Sequence, residues 1–344
     1  MSRPNEALPL LNEALTPFQA WWADEAVEDI LINRPGEAFV KRGAVMTRHD
    51  IPHDFVDLEA IAILAASLKR QNVGKARPLL SCDLPGGTRL QAVLPPCVED
   101  GTVALAIRRA RRTAPTLDDL GKGGIFADIS PNAGGMTEVD RALLRLYRDA
   151  QAGPECERQA RYGAFLRACV RARKTIIMCG QVGSGKTTFG MGLIQEIPLE
   201  DRLVLIQDAD EWNALPHPNR VNLFYSKGGQ GAAQVTPNDL VEASLRLAMD
   251  WLAMQELRGA EAFSFLRARR SGHPGISTAH AESARAVFPA LALMVRQHPA
   301  AASVELATIE QALRGVIDVV IHLHRPGGGF RISDIWFRLA EEGA

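Results

Sequence analysis

From Lys174 to Phe189 the chain reads Lys-Thr-Ile-Ile-Met-Cys-Gly-Gln-Val-Gly-Ser-Gly-Lys-Thr-Thr-Phe, an apolar run followed by a loop of small residues. The apolar run over residues 175–178 predicts a buried strand, and a helix is expected from Thr187 onward. The loop between them fits the pattern G-x-x-x-x-G-K-[ST], with Gly180, Gly185, Lys186 and Thr187 at the fixed positions. This order of strand, loop and helix predicts a phosphate-binding loop.

The chemistry of phosphate binding accounts for the residue types in this loop. Glycines let backbone N–H groups wrap closely around an anion because no Cβ stands in the way, and the following helix N-terminus adds partial positive charge. Lys186 is expected to reach the β- and γ-phosphates, and the Thr187 hydroxyl to hold Mg²⁺. A Gly-rich turn that matches by accident is the alternative, and the flanking strand and helix argue against it. The residues predicted to bind a nucleotide here are Gly180, Gln181, Val182, Gly183, Ser184, Gly185, Lys186, Thr187 and Thr188.

Composition places the chain among ordinary globular proteins. Its 344 residues are enough for two domains, and a formal net charge of −1 argues against a nucleic-acid-coating protein. The basic runs at residues 108–112 and 267–270 fit a solvated face or linker, an interpretation we favour for Arg111 and Arg112. Five cysteines without C-x-x-C spacing fit buried thiols in a reducing cytosol. Neither a signal peptide nor a membrane span is expected, so any membrane association requires a partner.

Residues 1–110 predict a small α+β domain with an antiparallel sheet. The expected elements are helices over residues 6–23 and 58–68 and strands over residues 30–33, 38–40, 79–81, 89–94 and 103–107. The stretch 111–136 is rich in Gly and Pro and is interpreted as an interdomain linker with a short helix near 117–120.

After the linker, helical and strand-like segments alternate, as βαβ units do. The expected helices cover residues 139–147, 157–172, 240–248 and 260–269, and the expected strands cover 203–206, 251–254, 276–279, 316–323 and 330–337. The last two strands are predicted to form a closing hairpin around the turn that starts at Arg325 and continues Pro-Gly-Gly-Gly.

Acidic residues follow the strand expected over residues 203–206, where Asp208 and Glu211 come next. Carboxylates at the end of a strand can polarise a water that attacks a γ-phosphate. A strand-to-loop turn with solvated acids explains the same spacing equally well. Both interpretations stay open from the spacing alone.

A second acid, Glu256, follows the short apolar run Trp251–Met254. This run predicts a second strand beside the phosphate loop, with the Glu256 carboxylate directed at Mg²⁺ or at the attacking water. Arg258 fits a contact to phosphate, and a structural salt bridge to a neighbouring carboxylate is an equally good interpretation.

His273 and His280 lie seven residues apart, one before and one on the strand expected at 276–279. A metal-binding pair is the alternative, but Cys or carboxylate ligands at useful spacing are missing from the sequence around them. Their Gly-, Pro- and Thr-rich setting, next to a nucleotide site, favours a sensor of the γ-phosphate.

Together these segments resemble the four boxes of the secretion (traffic) ATPases. Walker A corresponds to residues 180–188, the Asp box to the acid-ended strand, Walker B to residues 256–261 and the His box to residues 272–281. Within that superfamily the chain is most similar to the hexameric ATPase of type IV secretion systems. Residues 31–36, 78–81, 84–96 and 107–109 also resemble its N-terminal domain. The resemblance implies an α/β fold, with a RecA-like P-loop ATPase domain at residues 137–344 preceded by a small α+β N-terminal domain.

The resemblance also implies roles for individual residues. The catalytic positions are Lys186, Glu211, Glu256 and His280. Glu211 matches the Asp-box glutamate associated with hydrolysis, and Glu256 is the Walker B glutamate that is expected, with Thr187, to hold Mg²⁺. Further contacts to ATP are implied for Asp208, Arg258 and His273 and for the N-terminal Arg89, Arg108 and Arg109.

Two positions depart from the family pattern. Gln207 stands where the Asp box usually has glutamate, and Gln255 stands where Walker B usually has glycine. Gln207 loses a charge but keeps the ability to orient water by hydrogen bonds, and Gln255 adds a bulky side chain where the backbone normally needs room. Both departures bear on the turnover rate more than on nucleotide binding.

The resemblance implies ATP hydrolysis by a homohexameric ring that powers type IV secretion or conjugation, through pilus assembly and substrate translocation. It implies a cytoplasmic subunit, peripheral at the inner membrane, whose partners are the inner-membrane secretion-channel ATPases and the coupling protein. ATP-Mg²⁺ is expected between the two domains, and binding is expected to close them across the linker. Direct sequence-specific nucleic-acid binding is not expected.

Three alternatives remain. A type II secretion or pilus-assembly ATPase has the same site, but such chains are longer and often carry a four-cysteine zinc motif that is missing from this sequence. An ATP-gated ring subunit with little hydrolysis fits Gln207 and Gln255. A small-molecule kinase needs an acceptor pocket and a mobile lid, for which the sequence offers no candidate segment.

Overall fold

The structure is a computed structural model that describes residues 4–110, 114–129, 135–226 and 231–342. It contains two β-sheets, one built from residues 27–108 and the other from residues 176–337. The α/β class and the antiparallel N-terminal sheet are therefore confirmed. Residues 111–113, which include Arg111 and Arg112, and residues 130–134 lie outside the described residues, so the boundaries of the linker at 111–136 stay a prediction.

The N-terminal sheet has six strands, and every neighbouring pair is antiparallel. The elements are α1 (Pro4–Ala14), α2 (Gln19–Ala23), β1 (Val27–Ile32), β2 (Glu37–Arg42), β3 (Val45–Asp50), α3 (Phe55–Leu68), β4 (Leu79–Asp83), β5 (Arg89–Val93) and β6 (Ala104–Arg108). Their order in the sheet is β3-β2-β1-β6-β5-β4. The edge strand β3 was not predicted, because most of its side chains are exposed and only Val45 and Met46 are apolar.

Strand β1 is apolar along most of its length because both of its faces are buried. Successive side chains of a strand point to opposite faces. Ile30 and Ile32 pack in a core that lies within the N-terminal part, with α3. Leu31 packs on the other face, in a core that also contains Val221 and Leu252 from the second sheet. The N-terminal sheet therefore shares a hydrophobic core with the C-terminal part of the same chain.

The second sheet has seven strands, which are parallel except for the antiparallel edge strand at residues 331–337. The elements are α4 (Leu117–Lys122), α5 (Glu138–Ala152), α6 (Glu155–Arg171), β7 (Ile176–Cys179), α7 (Lys186–Ile194), β8 (Leu203–Gln207), β9 (Arg220–Phe224), α8 (Pro237–Ser244), β10 (Trp251–Met254), α9 (Glu261–Arg270), β11 (Gly275–Ala279), α10 (Val287–Arg296), α11 (Leu306–Val316), β12 (Val319–His324), β13 (Arg331–Phe337) and α12 (Arg338–Glu342). Their order is β13-β12-β7-β11-β10-β8-β9. The predicted closing hairpin is β12–β13.

Strand β10, at residues 251–254, is not a direct neighbour of the phosphate-loop strand β7. Strand β11 lies between β7 and β10 and pairs in parallel with both. Local apolar periodicity identifies a strand but not its neighbours, which depend on how the connections cross the sheet. Because all these strands are parallel, the residues that follow them still meet at the same edge.

Two further properties of the chain concern membrane spans and thiol groups. Within the described ranges, no helix is long and apolar enough to cross a bilayer. The five cysteines are free thiols, and all except Cys156 are buried. Burial raises the pKa of Cys97 and of Cys82 to about 11, so these thiols stay protonated at neutral pH.

Candidate active site

The phosphate loop runs from the end of β7 to the start of α7, and its glycines are required by its geometry. Gly180, Gly183 and Gly185 all have positive φ, at 146°, 76° and 90°. A Cβ at Gly180 would lie 2.1 Å from the carbonyl oxygen of Leu323, and one at Gly185 would lie 2.5 Å from Cγ of Phe330. Glycine is therefore the residue that fits both the backbone conformation and the close neighbours.

Lys186 lies at the first position of α7 and is nearly buried. Its Nζ donates hydrogen bonds to the carbonyl oxygens of Gly180 at 2.8 Å and Gln181 at 2.9 Å. Burial lowers the pKa of Lys186, and the nearby Glu256 carboxylate acts in the opposite direction. The loop therefore holds a cation at the N-terminus of a helix, where an anion is favoured.

A cavity of about 760 Å³ opens over this loop, a size that suits a nucleotide. Its lining residues are Val182, Gly183, Ser184, Gly185, Lys186, Thr187, Thr188, Asp208, Ala209, Glu211, Gln255, Glu256, Arg258, Thr278, His280, Arg325, Gly328, Gly329 and Phe330. None of the described residues from 4 to 110 lines it. The expectation that ATP sits between two domains is therefore wrong for a single chain, because the N-terminal sheet packs elsewhere on the C-terminal part.

Glu256 and His280 converge on the phosphate loop from the ends of β10 and β11. The Nε2 atom of His280 lies 2.7 Å from Oε1 of Glu256, and its Nδ1 atom lies 3.2 Å from the carbonyl oxygen of Gly180. The Glu256 side chain is only 11% exposed. The structure thus brings together three segments that are far apart in the sequence, and the chemistry they share is that of phosphoryl transfer.

Arg258 pairs with two carboxylates at the cavity wall. It contacts the Glu256 carboxylate and donates to Oδ2 of Asp208 at 2.9 Å. These two partners, Glu256 first, raise the pKa of Arg258. Of the two interpretations of Arg258, the carboxylate pairing is the one found here, and a contact to phosphate stays a prediction.

The two glutamines tie the loop after β8 to the ends of β8 and β10. Gln207 is fully buried, and its Oε1 accepts from the backbone N–H groups of Glu211 at 3.2 Å and Trp212 at 3.0 Å. Gln255 accepts from the backbone N–H of Asp208 at 3.0 Å through its Oε1. These bonds fix the short loop that carries Glu211 to the cavity, so both side chains act as backbone acceptors.

The N-terminal arginines and one histidine lie away from the phosphate loop. Arg89, Arg108 and His273 line a second cavity of about 470 Å³ between the N-terminal sheet and the C-terminal part. The Arg109 guanidinium donates to the carbonyl oxygen of Asp24. Within one chain none of these four side chains lines the larger cavity, so their contacts to ATP stay predictions.

Sequence reasoning missed the contribution of Thr278 and of the turn between β12 and β13. Thr278 is buried, lines the cavity and donates through its Oγ1 to the carbonyl oxygen of Gln255 at 2.8 Å. The turn was recognised as a turn from its Pro and Gly residues, but no local signal indicates that it folds back to the phosphate loop.

The chain is similar to known proteins over most of its length. A family model described as "Type II/IV secretion system protein" matches residues 148–325. Protein VirB11 of Agrobacterium fabrum is 37% identical over 335 residues, which cover 96% of this chain and 94% of that protein. Type IV secretion system protein VirB11 of Brucella suis is 35% identical over 334 residues, which cover 95% and 90%.

A solved structure is similar over nearly the whole chain. The crystal structure of the VirB11 ATPase from the Brucella suis type IV secretion system, in complex with sulphate, matches with a TM-score of 0.86 and 34% identity, covering 96% of this chain and 99% of that one. The chain belongs to the type II/IV secretion system protein family and, within it, to the VirB11 ATPases.

Proposed function

We propose that this protein is an ATP-hydrolysing subunit of a homohexameric motor that powers type IV secretion, through pilus assembly and substrate transfer. The observation that carries the proposal is the approach of Glu256 and His280 to the phosphate loop, within one nucleotide-sized cavity. The hexamer rests on the family resemblance.

Different residues of the cavity bind the phosphates, position the water and contact the γ-phosphate. The loop N–H groups and the Lys186 ammonium hold and neutralise the phosphates. The carboxylate of Glu256 or Glu211 accepts a hydrogen bond from a water, whose oxygen bonds to the γ-phosphorus as the bond to the ADP oxygen breaks. The proton that this water loses ends on the released phosphate. His280 contacts both the loop and Glu256, a position that suits a γ-phosphate sensor.

Mg²⁺ fits the donors that this cavity offers. Thr187 contributes a hydroxyl and Glu256 a carboxylate, and both line the same space. Mg²⁺ prefers hard oxygen ligands and usually takes one or two from the protein beside phosphate and water. When bound, the ion neutralises charge on the phosphate oxygens.

Arg89 and Arg108 are assigned to a neighbouring subunit's nucleotide. In one chain they line the second cavity, whereas the family resemblance gives them a role at ATP. In a ring of identical subunits, the two arginines line the second cavity of their own chain and also reach the nucleotide of the next subunit. This holds because the N-terminal sheet of one subunit then faces the phosphate cavity of the next.

The cellular setting follows from the same family. We infer a cytoplasmic protein, peripheral at the inner membrane, that docks on the secretion-channel ATPases and the coupling protein. Direct sequence-specific nucleic-acid binding is not part of this proposal.

Steady-state phosphate release with Mg·ATP tests the proposed function. Wild type is compared with Lys186→Ala and Glu256→Gln, and Glu242→Gln makes the same carboxylate-to-amide change at an exposed site away from the cavity. The proposal predicts loss of turnover for the first two variants and wild-type rates for the third. Wild-type turnover no faster than that of Glu256→Gln would instead favour an ATP-gated ring subunit with little hydrolysis.

A further inference from the structure

The turn between β12 and β13 forms one wall of the phosphate cavity, and the reaction described above gives it no role. Arg325, Gly328, Gly329 and Phe330 all line the cavity. The turn is held in place by the paired strands on either side of it, in which His324 and Arg331 are the last paired residues before the turn. A wall built from a rigid hairpin next to a nucleotide site is a candidate for binding the rest of the nucleotide.

The order of strands in the sheet determines which part of the nucleotide meets this wall. The phosphate-loop strand β7 lies between β11 on one side and β12 on the other. The residues that would face the γ-phosphate, Glu256 and His280, follow β10 and β11 and so lie on the β11 side. With the γ-phosphate on that side and the β-phosphate on the loop, the ribose and the base extend toward β12 and its turn.

Phe330 has the properties of a stacking surface at this place. Of the described residues that line the cavity, it is the only Phe, Tyr or Trp, and its side chain is 46% exposed. It packs so closely against Gly185 that a Cβ there would lie 2.5 Å from its Cγ atom. A large apolar ring left half exposed costs hydration free energy, and a planar base laid on its open face removes that cost.

We propose that Phe330 binds the purine base of the nucleotide by stacking, with the Gly328 and Gly329 backbone beside it. Because these two glycines carry no side chain, the edge of a base can approach their peptide groups closely. This inference rests on the proposed function, since it places the base of the same nucleotide whose phosphates occupy the loop.

Calorimetric titration of the full-length protein separates base binding from phosphate binding. The two probes are the hydrolysis-resistant analogue AMP-PNP and inorganic tripolyphosphate, both with Mg²⁺. The variants are Phe330→Ala, Phe330→Tyr, which keeps an aromatic face, and Ile332→Ala, which removes an exposed apolar side chain from the same hairpin outside the cavity. Lys186→Ala reports on the phosphate loop itself.

Stacking predicts that Phe330→Ala weakens AMP-PNP binding about tenfold and leaves tripolyphosphate binding unchanged. Phe330→Tyr and Ile332→Ala are expected to bind both probes as wild type does. Unchanged or tighter AMP-PNP binding by Phe330→Ala overturns the inference, as does an equal loss for both probes or a Phe330→Tyr variant as weak as Phe330→Ala. If Lys186→Ala loses neither probe, the proposed function fails, and that result is distinct from a failure at Phe330.

Discussion

Gln207 is a buried side chain whose importance lies in one oxygen atom. Its Oε1 accepts from two backbone N–H groups, those of Glu211 and Trp212, and so shapes the loop that brings Glu211 to the cavity. A glutamate carboxylate offers the same acceptors. The charge that this chain lacks at residue 207 is therefore not needed to hold the loop.

Substitution of Gln207 tests whether it acts as a positioning residue. Gln207→Glu keeps the acceptor, so we expect kcat for ATP hydrolysis to stay within about twofold of wild type. Gln207→Met has a similar shape but no strong acceptor, and an unpaired buried N–H costs about 1–3 kcal/mol, so kcat is expected to fall about tenfold or more. In steady-state kinetics we expect the loss in kcat, with little change in KM. Equal losses of kcat in Gln207→Glu and Gln207→Met would show that the acceptor at residue 207 does not position the loop.

His217 is expected to make the protein less stable in acid. Its buried ring lies with Nε2 2.9 Å from the carbonyl oxygen of Ile197. Burial is the main cause that lowers the pKa of His217, and the positive charge of Arg220 lowers it further. The hydrogen bond to the Ile197 carbonyl and the negative charge of Asp201 act in the opposite direction. Because the unfolded chain then binds a proton more readily than the folded one, stability falls as pH drops below the unfolded value of about 6.5.

His217→Gln removes this titration while keeping an N–H group that can reach Ile197. We expect the loss in the free energy of unfolding between about pH 7.5 and pH 5.5 to be smaller for His217→Gln than for wild type. Urea denaturation at the two pH values measures it. An identical loss in both proteins would show that the ring does not change its protonation on unfolding.

At the scale of single elements, α5 begins with a pair of reciprocal hydrogen bonds. The Asp140 N–H donates to Thr137 Oγ1 at 3.1 Å, and the Thr137 N–H donates to Asp140 Oδ2 at 3.2 Å. Asp140 also accepts from Nζ of Lys174 at 2.8 Å, and Lys174 lies two residues before the first residue of β7. The start of α5 is thus tied to the chain segment that leads into β7.

Thr137→Ala is expected to lower the free energy of unfolding by about 1 kcal/mol, because the N-terminal N–H of the helix loses its cap. Thr137→Ser keeps the hydroxyl and should retain wild-type stability. Denaturant unfolding of the three proteins provides the comparison. Equal stability of the Ala and Ser variants would mean that the cap contributes nothing measurable.

The elements differ in how far the sequence predicts them. Strands β7 and β10 are uninterrupted apolar runs, and β8 is apolar up to Gln207, because both faces of the central sheet are buried, and such runs are visible in the sequence. Strand β9 begins with Arg220 and contains Asn222, and these polar residues interrupt the apolar pattern that would predict a strand. Helix α10 carries Pro289, which argues against a helix in the sequence but is tolerated in the first turn. The site differs in the same way. The phosphate loop is predictable because its residues are adjacent in the sequence, whereas the distance of Arg89 from the loop depends on how the N-terminal sheet packs on the C-terminal part.

At the scale of the whole molecule, the N-terminal sheet and the C-terminal part are joined by a buried polar contact as well as by their shared core. Arg202 is completely buried, and it donates to Oδ1 of Asn33 at 2.7 Å and to the carbonyl oxygen of Leu247 at 2.7 Å. Asn33 also donates to Asn219 Oδ1 at 3.0 Å. Burial lowers the pKa of Arg202 to about 10. These contacts disfavour closure of one part on the other within a single chain.

Asn33→Ala should therefore destabilise both parts together. Loss of an acceptor from the buried Arg202 is expected to cost about 1–3 kcal/mol, and Asn213→Ala, at an exposed asparagine, should cost little. Trp22 lies in the N-terminal part and Trp251 in the second sheet. Variants that keep only one of these tryptophans therefore report the unfolding of each part separately by fluorescence. One coincident unfolding transition is expected, and two separate transitions would contradict a shared core.

A crystal structure of this protein with Mg²⁺ and AMP-PNP would show where the triphosphate binds. We expect the triphosphate on the N–H groups of Gly183 to Thr188, with the γ-phosphate facing Glu256 and His280. A triphosphate bound instead in the cavity of Arg89 and Arg108 of the same chain, with Glu256 and His280 left without contact to it, would contradict the account.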